Sequence, residues 1–143
     1  MIANSPLMNS ERHQTDVLPS IAIGCKSSCK LLLNKERLLS DVFIFPSHKE
    51  SLGLVGVEAL ACGVPVVSTN AGGLPEVNEE GVTGYLCEVG DYKSMADKSL
   101  LILKDEEKLQ SFRINARNKA IQFSKLNIVP QYEHLYKKCV TNS

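Results

Sequence analysis

Asp41-Val-Phe-Ile-Phe-Pro46, the polar loop Ser47-His-Lys-Glu-Ser51 and the run Leu52-Gly-Leu-Val-Gly-Val-Glu-Ala-Leu-Ala-Cys-Gly-Val-Pro-Val-Val-Ser68 decide how this chain folds. Val42 to Phe45 are continuously apolar and are stopped by a proline, which has no N–H for a ladder. They read as a short buried strand. Beyond the loop the pattern changes: Leu54, Val55, Val57, Leu60 and Ala61 recur at helical spacing from near Leu52 until Gly63, a C-terminal stop. Pro65-Val-Val-Ser68 reads as strand again. Strand, helix and strand in immediate succession are the unit of a parallel α/β layer.

Working outward toward the C-terminus, Thr69-Asn-Ala-Gly-Gly-Leu-Pro-Glu76 demands a tight, shaped loop. Glu79-Glu-Gly-Val-Thr-Gly84 supplies a turn before the strand-like Tyr85-Leu-Cys87. Asp91 is placed to cap a helix from Tyr92 to about Lys104, and Asp105-Glu-Glu107 stands at the positive end of a second helix reaching toward Phe123. Ser124 restarts an amphipathic segment through Tyr132, Leu135 and Tyr136. Toward the N-terminus, Glu36-Arg-Leu-Leu39 reads as the last turns of a helix leading into the first strand. Residues 1–34 mix Asn, Ser and Pro with isolated apolar residues and keep neither period, so an irregular arm is expected there and one α/β unit over 35–143.

Composition narrows the function classes. The chain has 143 residues, 43% of them hydrophobic and 22% charged, which suits one globular domain. Sixteen Lys plus Arg balance sixteen Asp plus Glu, so no net field draws the chain to nucleic acid or to an anionic membrane. Lys137-Lys138 is a small basic cluster without interleaved aromatics, and no nucleic-acid partner is expected. No apolar run of about 18 residues exists, so no membrane span is expected. Val17-Leu-Pro-Ser-Ile-Ala-Ile-Gly-Cys25 faintly resembles a lipoprotein signal end, but Glu11 and Asp16 stand where basic residues belong and Pro19 interrupts the apolar stretch. The five cysteines, Cys25, Cys29, Cys62, Cys87 and Cys139, are odd in number and scattered, which fits a reducing cytoplasm better than a disulfide framework. Cys25 and Cys29 have the spacing of half a metal site, yet no second Cys/His pair follows; no metal is expected.

The chemistry is expected between Glu50 and Glu58. Ligands of open parallel sheets bind beyond the carboxyl ends of the strands, and Glu50 lies in the loop just after the strand ending at Phe45. The helix that follows directs its free N–H groups and positive dipole end toward the same crevice, which stabilises a diphosphate. Gly53, having no Cβ, lets such a group come close to the backbone. With Glu58 farther along, an eight-residue offset at ~1.5 Å per residue spans on the order of 12 Å, about the separation of hexose and ribose across a diphosphate. Carboxylates at the two ends accept hydroxyl hydrogen bonds worth ~1.5 to 3 kcal/mol each. Taken alone, the pair is more often just two Glu residues around a helix start, where the dipole favours an N-terminal Glu.

The whole string from Phe45 to Val77 resembles the carboxyl-terminal domain of family 4 glycosyltransferases, whose motif is two Glu residues with seven between, here Glu50 and Glu58. Within the family it resembles the bacillithiol-forming branch, which has a similar Lys-Glu-Ser followed by Gly-Leu-Val and the same Ala-Cys-Gly-Val-Pro. The resemblance implies a partial Rossmann-like parallel sheet with flanking helices, the C-terminal half of a two-domain GT-B enzyme that retains anomeric configuration. It implies a nucleotide-sugar donor of the UDP-sugar kind, no cofactor and no required metal. It gives Glu50 the donor-hexose hydroxyls as the candidate catalytic residue and Glu58 the ribose. Ser51 and the backbone at Gly53, Leu54 and Val55 would bind sugar and diphosphate. It does not make Glu50 a nucleophile, because in the family's favoured mechanism the acceptor attacks the face from which the nucleotide leaves, so positioning and stabilisation of the departing diphosphate carry catalysis. Gly72-Gly-Leu-Pro-Glu76 is similar to a family loop beside the donor pocket, although a turn leading into a helix accounts for those residues equally well. His48 is a further loop residue that either meets substrate or is simply solvated.

Family members place an acceptor domain and a basic Arg/Lys pair before this motif. Only 49 residues precede Glu50, whereas those parts take more than about 200 residues. Lys26, Lys30 and Lys35 lack the Gly-rich strand-loop context that would mark a phosphate-binding lysine. The expectation is a donor half-site with weak nucleotide-sugar binding and no turnover by itself, or one completed by a companion chain carrying the acceptor domain. The competing expectation is a non-catalytic remnant whose bare apolar sheet edge promotes self-association.

Overall fold

The structure, a computed structural model, describes residues 21–23 and 40–141. Within them, four parallel strands lie side by side in chain order: β1 (Ile21–Ile23), β2 (Val42–Phe45), β3 (Val66–Thr69) and β4 (Gly84–Cys87). Phe43 is in register with Val66, and Val66 in turn with Gly84. The crossovers are α1 (Leu54–Ala61), between β2 and β3, and the single-turn α2 (Leu74–Val77), between β3 and β4. Three helices finish the chain: α3 (Tyr92–Leu103), α4 (Glu106–Gln122) and α5 (Lys125–Thr141).

Strand alternation divides the core into two layers. Phe43, Phe45 and Val66 point to one face of the sheet and bury Ala59 and Leu60 of α1 with Leu74 and Val77 of α2. Val42, Val67 and Cys87 point to the other, onto Met95 and Ile102 of α3. Burial on both faces is why β2 is apolar at every position. α4 serves both layers, giving Ala116 to the first and Leu109 and Phe112 to the second. An ion pair from Arg113 to Asp41 joins the same helix to the start of β2.

Polar locks hold the sheet where hydrophobic burial gives no direction. Asn78, only 1% exposed, donates from Nδ2 to Val66 O at 2.9 Å, Ser68 Oγ at 3.0 Å and Tyr85 O at 2.9 Å. Thr83 Oγ1 donates back to Asn78 Oδ1 at 2.9 Å. One side chain thus bridges β3 and β4. Asp91 caps α3 by accepting from the Ser94 amide at 2.9 Å, and Asp105 caps α4 by accepting from the Lys108 amide at 3.0 Å, as the sequence suggests.

The departures from the sequence reading are local. Ile21–Ile23 lies in the stretch read as an irregular arm, yet it forms a strand parallel to β2. Three residues are too few to display a period, and the partner that organises them lies about twenty residues away in sequence. β1 therefore pairs with β2 and becomes the edge strand on that side of the sheet. α1 begins at Leu54 rather than near Leu52, because Gly53 takes a left-handed conformation, φ 79° and ψ 47°, and becomes the N-cap. The expected loop through Glu76 closes into the turn α2 at Leu74. The expected helix end at Glu36–Leu39, the pair Cys25 and Cys29, and Lys26, Lys30 and Lys35 lie outside the described residues.

Candidate functional site

Three loops leave the carboxyl ends of the parallel strands on the same edge of the sheet. The one after β2 carries Ser47 to Gly53, the one after β3 carries Asn70 to Gly73, and the one after β4 carries Glu88 to Asp91. Hydrogen bonds join them in sequence. Thr69 Oγ1, fully buried at the end of β3, donates to the Ser47 carbonyl at 2.5 Å. Asn70 Nδ2 donates to Glu88 Oε1 at 2.7 Å, and the Asn70 amide donates to the Cys87 carbonyl at 2.9 Å. His48 Nε2 lies 3.3 Å from Tyr92 Oη at the start of α3.

Glu50 is half-buried in the first loop, and its Oε1 accepts from the Ser51 amide at 3.1 Å. Its main chain is fixed by the second loop, because the Gly73 amide donates to the Glu50 carbonyl at 3.3 Å. Four residues past Glu50, α1 starts with no side chain capping its first turn. Gly53 is buried, Val55 half-buried, Leu54 64% exposed, and Ser51 and Glu58 exposed. Glu58 sits one turn into the helix, so only the distance from Leu54 to Glu58 is helical rise. The part from Glu50 to Gly53 is loop, and the eight-residue ruler drawn from sequence applies to half of the interval.

Gly72 and Gly73, left open in the sequence reading between donor pocket and simple turn, are packed onto the Glu50 loop. No sequence motif marks Asn70, Glu88 and Tyr92, whose side chains join the loops. The signal for them was available, since each lies just beyond the carboxyl end of a strand, but their pairing across loops needs the sheet order. Among the described residues no three His, Cys, Asp or Glu side chains converge as a metal-ligand set. Nearby, a groove of about 740 Å³ runs between α1 and α5, lined by Leu52, Leu54, Val57, Tyr132 and Leu135 among others. Neither Glu50 nor Glu58 belongs to its wall. No helix among the described residues is long and apolar enough to cross a membrane.

Comparison with known proteins gives consistent findings. The family described as glycosyl transferases group 1 matches residues 26–119. The N-acetyl-alpha-D-glucosaminyl L-malate synthase of Bacillus anthracis is 50% identical over 99 residues, 68% of this chain and 26% of that protein. The capsular polysaccharide biosynthesis glycosyltransferase CapM of Staphylococcus aureus is 35% identical over 104 residues, 72% of this chain and 27% of that protein. Among solved structures, Anabaena HepE in complex with UDP-glucose superposes with a TM-score of 0.68 at 30% identity, covering 74% of this chain and 30% of that one. The chain thus spans about a quarter of the length of the curated relatives it matches.

Proposed function

The chain belongs to the glycosyl transferases group 1 family, and from that premise we propose that its carboxyl-edge loops form the donor half-site of a retaining sugar transferase using a UDP-sugar. The observation that carries this reading is the placement of Glu50 and Glu58 on either side of an uncapped helix start, beyond the end of a parallel strand. A structure similar to this chain holds UDP-glucose, which supports the donor class. N-acetylglucosamine is the sugar suggested by the name of the B. anthracis relative, and the proposal places the transfer in bacillithiol formation in the cytoplasm.

In this proposal Glu50 accepts hydrogen bonds from hexose hydroxyls and Glu58 accepts from the ribose, each a charge-assisted contact. Ser51 and the backbone at Gly53, Leu54 and Val55 face the sugar and diphosphate, whose negative charge the start of α1 favours. The C1–O bond breaks with its electron pair leaving on the nucleoside diphosphate. The acceptor oxygen bonds C1 on the same face and passes its proton to the departing phosphate. Glu50 acts by orientation. In this proposal the acceptor is held by groups outside the half-site, such as a companion chain supplies. The alternative of a non-catalytic remnant module is not favoured, since the donor motif is intact and the family likeness spans it.

Isothermal titration of the 143-residue chain with UDP, UDP-glucose and UDP-N-acetylglucosamine tests the proposal, with UDP release as the turnover assay. Binding without release is expected. Glu58→Gln is expected to weaken all three ligands about tenfold or more, and Glu50→Gln to weaken only the two that carry a sugar. A chain blind to every one of these ligands sinks the half-site.

A further inference from the structure

We infer that Gly72 and Gly73 are positioning residues for Glu50, a glycine clamp that fixes where its carboxylate meets the sugar and so sets the preference for a sugar-bearing donor over the bare nucleoside diphosphate. The inference rests on the donor half-site proposed above.

The two glycines differ in what demands them. Gly72 has φ 56°, a left-handed backbone that a side chain rarely adopts, and a Cβ on it would lie 1.8 Å from the Glu50 carbonyl oxygen. Gly73 has φ −84° and ψ 3°, a conformation open to any residue, so torsion gives no reason for glycine there. The reason is contact: a Cβ on Gly73 would lie 2.1 Å from the Ser51 carbonyl oxygen and 3.1 Å from the Leu52 Cα. Both obstacles are backbone, which cannot rotate aside. The loop after β3 therefore lies against the main chain of Glu50, Ser51 and Leu52 at a separation only glycine permits, and the Gly73 amide completes the contact on the Glu50 carbonyl. Both loops are anchored behind the contact, by Thr69 on the Ser47 carbonyl and by burial of Leu74. Added bulk at Gly73 meets the main chain next to Glu50, whereas Glu58 on α1 is not among the atoms it meets.

The test uses the 143-residue chain, measuring the ratio of UDP to UDP-glucose dissociation constants by titration. Gly73→Ala is expected to lower that ratio about tenfold, as expected if one charge-assisted hydrogen bond to the sugar is lost. Gly81→Ala serves as the control for general strain, because Gly81, in the turn before β4, has φ 74° and nothing within 4 Å of an added Cβ. It should leave the ratio unchanged. In a double-mutant cycle, Gly73→Ala should add nothing to the effect of Glu50→Gln on the ratio, since both act through one carboxylate. A measurement on the unaltered chain needs no substitution: hydrogen exchange at the Gly73 amide should slow with UDP-glucose bound and stay unchanged with UDP. Equal loss of both ligands in Gly73→Ala, additivity with Glu50→Gln, or Gly73 exchange that ignores the sugar overturns the clamp and leaves the half-site standing. Failure of the unaltered chain to bind either ligand overturns both.

Discussion

Asn78 shows how much one polar side chain decides in this molecule. Its two amide hydrogens, shared among three acceptors, and its one acceptance satisfy buried and part-buried groups between β3 and β4. Asn78→Ala orphans them together and is expected to destabilise the fold by about 2 to 4 kcal/mol, read as a lower urea midpoint with an unchanged slope. A loss under about 0.5 kcal/mol would show that the bridge is replaceable. Nothing in the string around Asn78 distinguishes it from the turn residues beside it, because its partners come from β3 and β4. Glu50 is the opposite case. Its place after a strand and before a helix, and its spacing to Glu58, were legible in the sequence, whereas the contact of Gly72 and Gly73 with its backbone was not. Sequence shows that two glycines are present, and only the packed loops show what each glycine avoids.

Among the elements, the helices owe their limits to single residues. Asp91→Ala removes the acceptor for the Ser94 amide and is expected to lower stability by about 1 kcal/mol in thermal or urea unfolding. Asp105 adds a pH dependence. The hydrogen bond from the Lys108 amide holds its carboxyl below the usual 3.8, aided by the Lys108 charge against a small opposing effect of burial. A carboxyl whose folded pKa is depressed stabilises the fold above its unfolded pKa, and that contribution is lost as pH falls through the folded value. The stability gap between the unaltered chain and Asp105→Ala should therefore be full at neutral pH and narrow as pH falls below about 3.8. A gap independent of pH down to 2 would rule out the charged cap. Caps of this kind act within one turn, which is why both were readable in sequence. β1 was not readable, because Ile21–Ile23 becomes a strand only through its pairing with β2.

At the scale of the whole molecule, the sheet and α1 to α4 form the core, and α5 stands apart. None of its residues is buried, and Leu126, Tyr136 and Val140 are 76%, 65% and 77% exposed. A chain ending after Ser124 is expected to unfold cooperatively, with stability within about 1 kcal/mol of the full chain by urea denaturation. Loss of the cooperative transition would show that α5 contributes to the core. By itself the sequence determined the parallel α/β class, the order of strands and long helices from β2 onward, the Asp caps of α3 and α4, the family and the spacing of the two carboxylates. All of these are written in residues near one another, as periods of apolar side chains, stop residues and fixed spacings. The tertiary structure alone decided that β1 covers β2, that Asn78 joins β3 to β4, and that the glycine loop after β3 lies on the main chain of Glu50. Those contacts join residues far apart in the chain, and close packing, which no local pattern encodes, sets their distances.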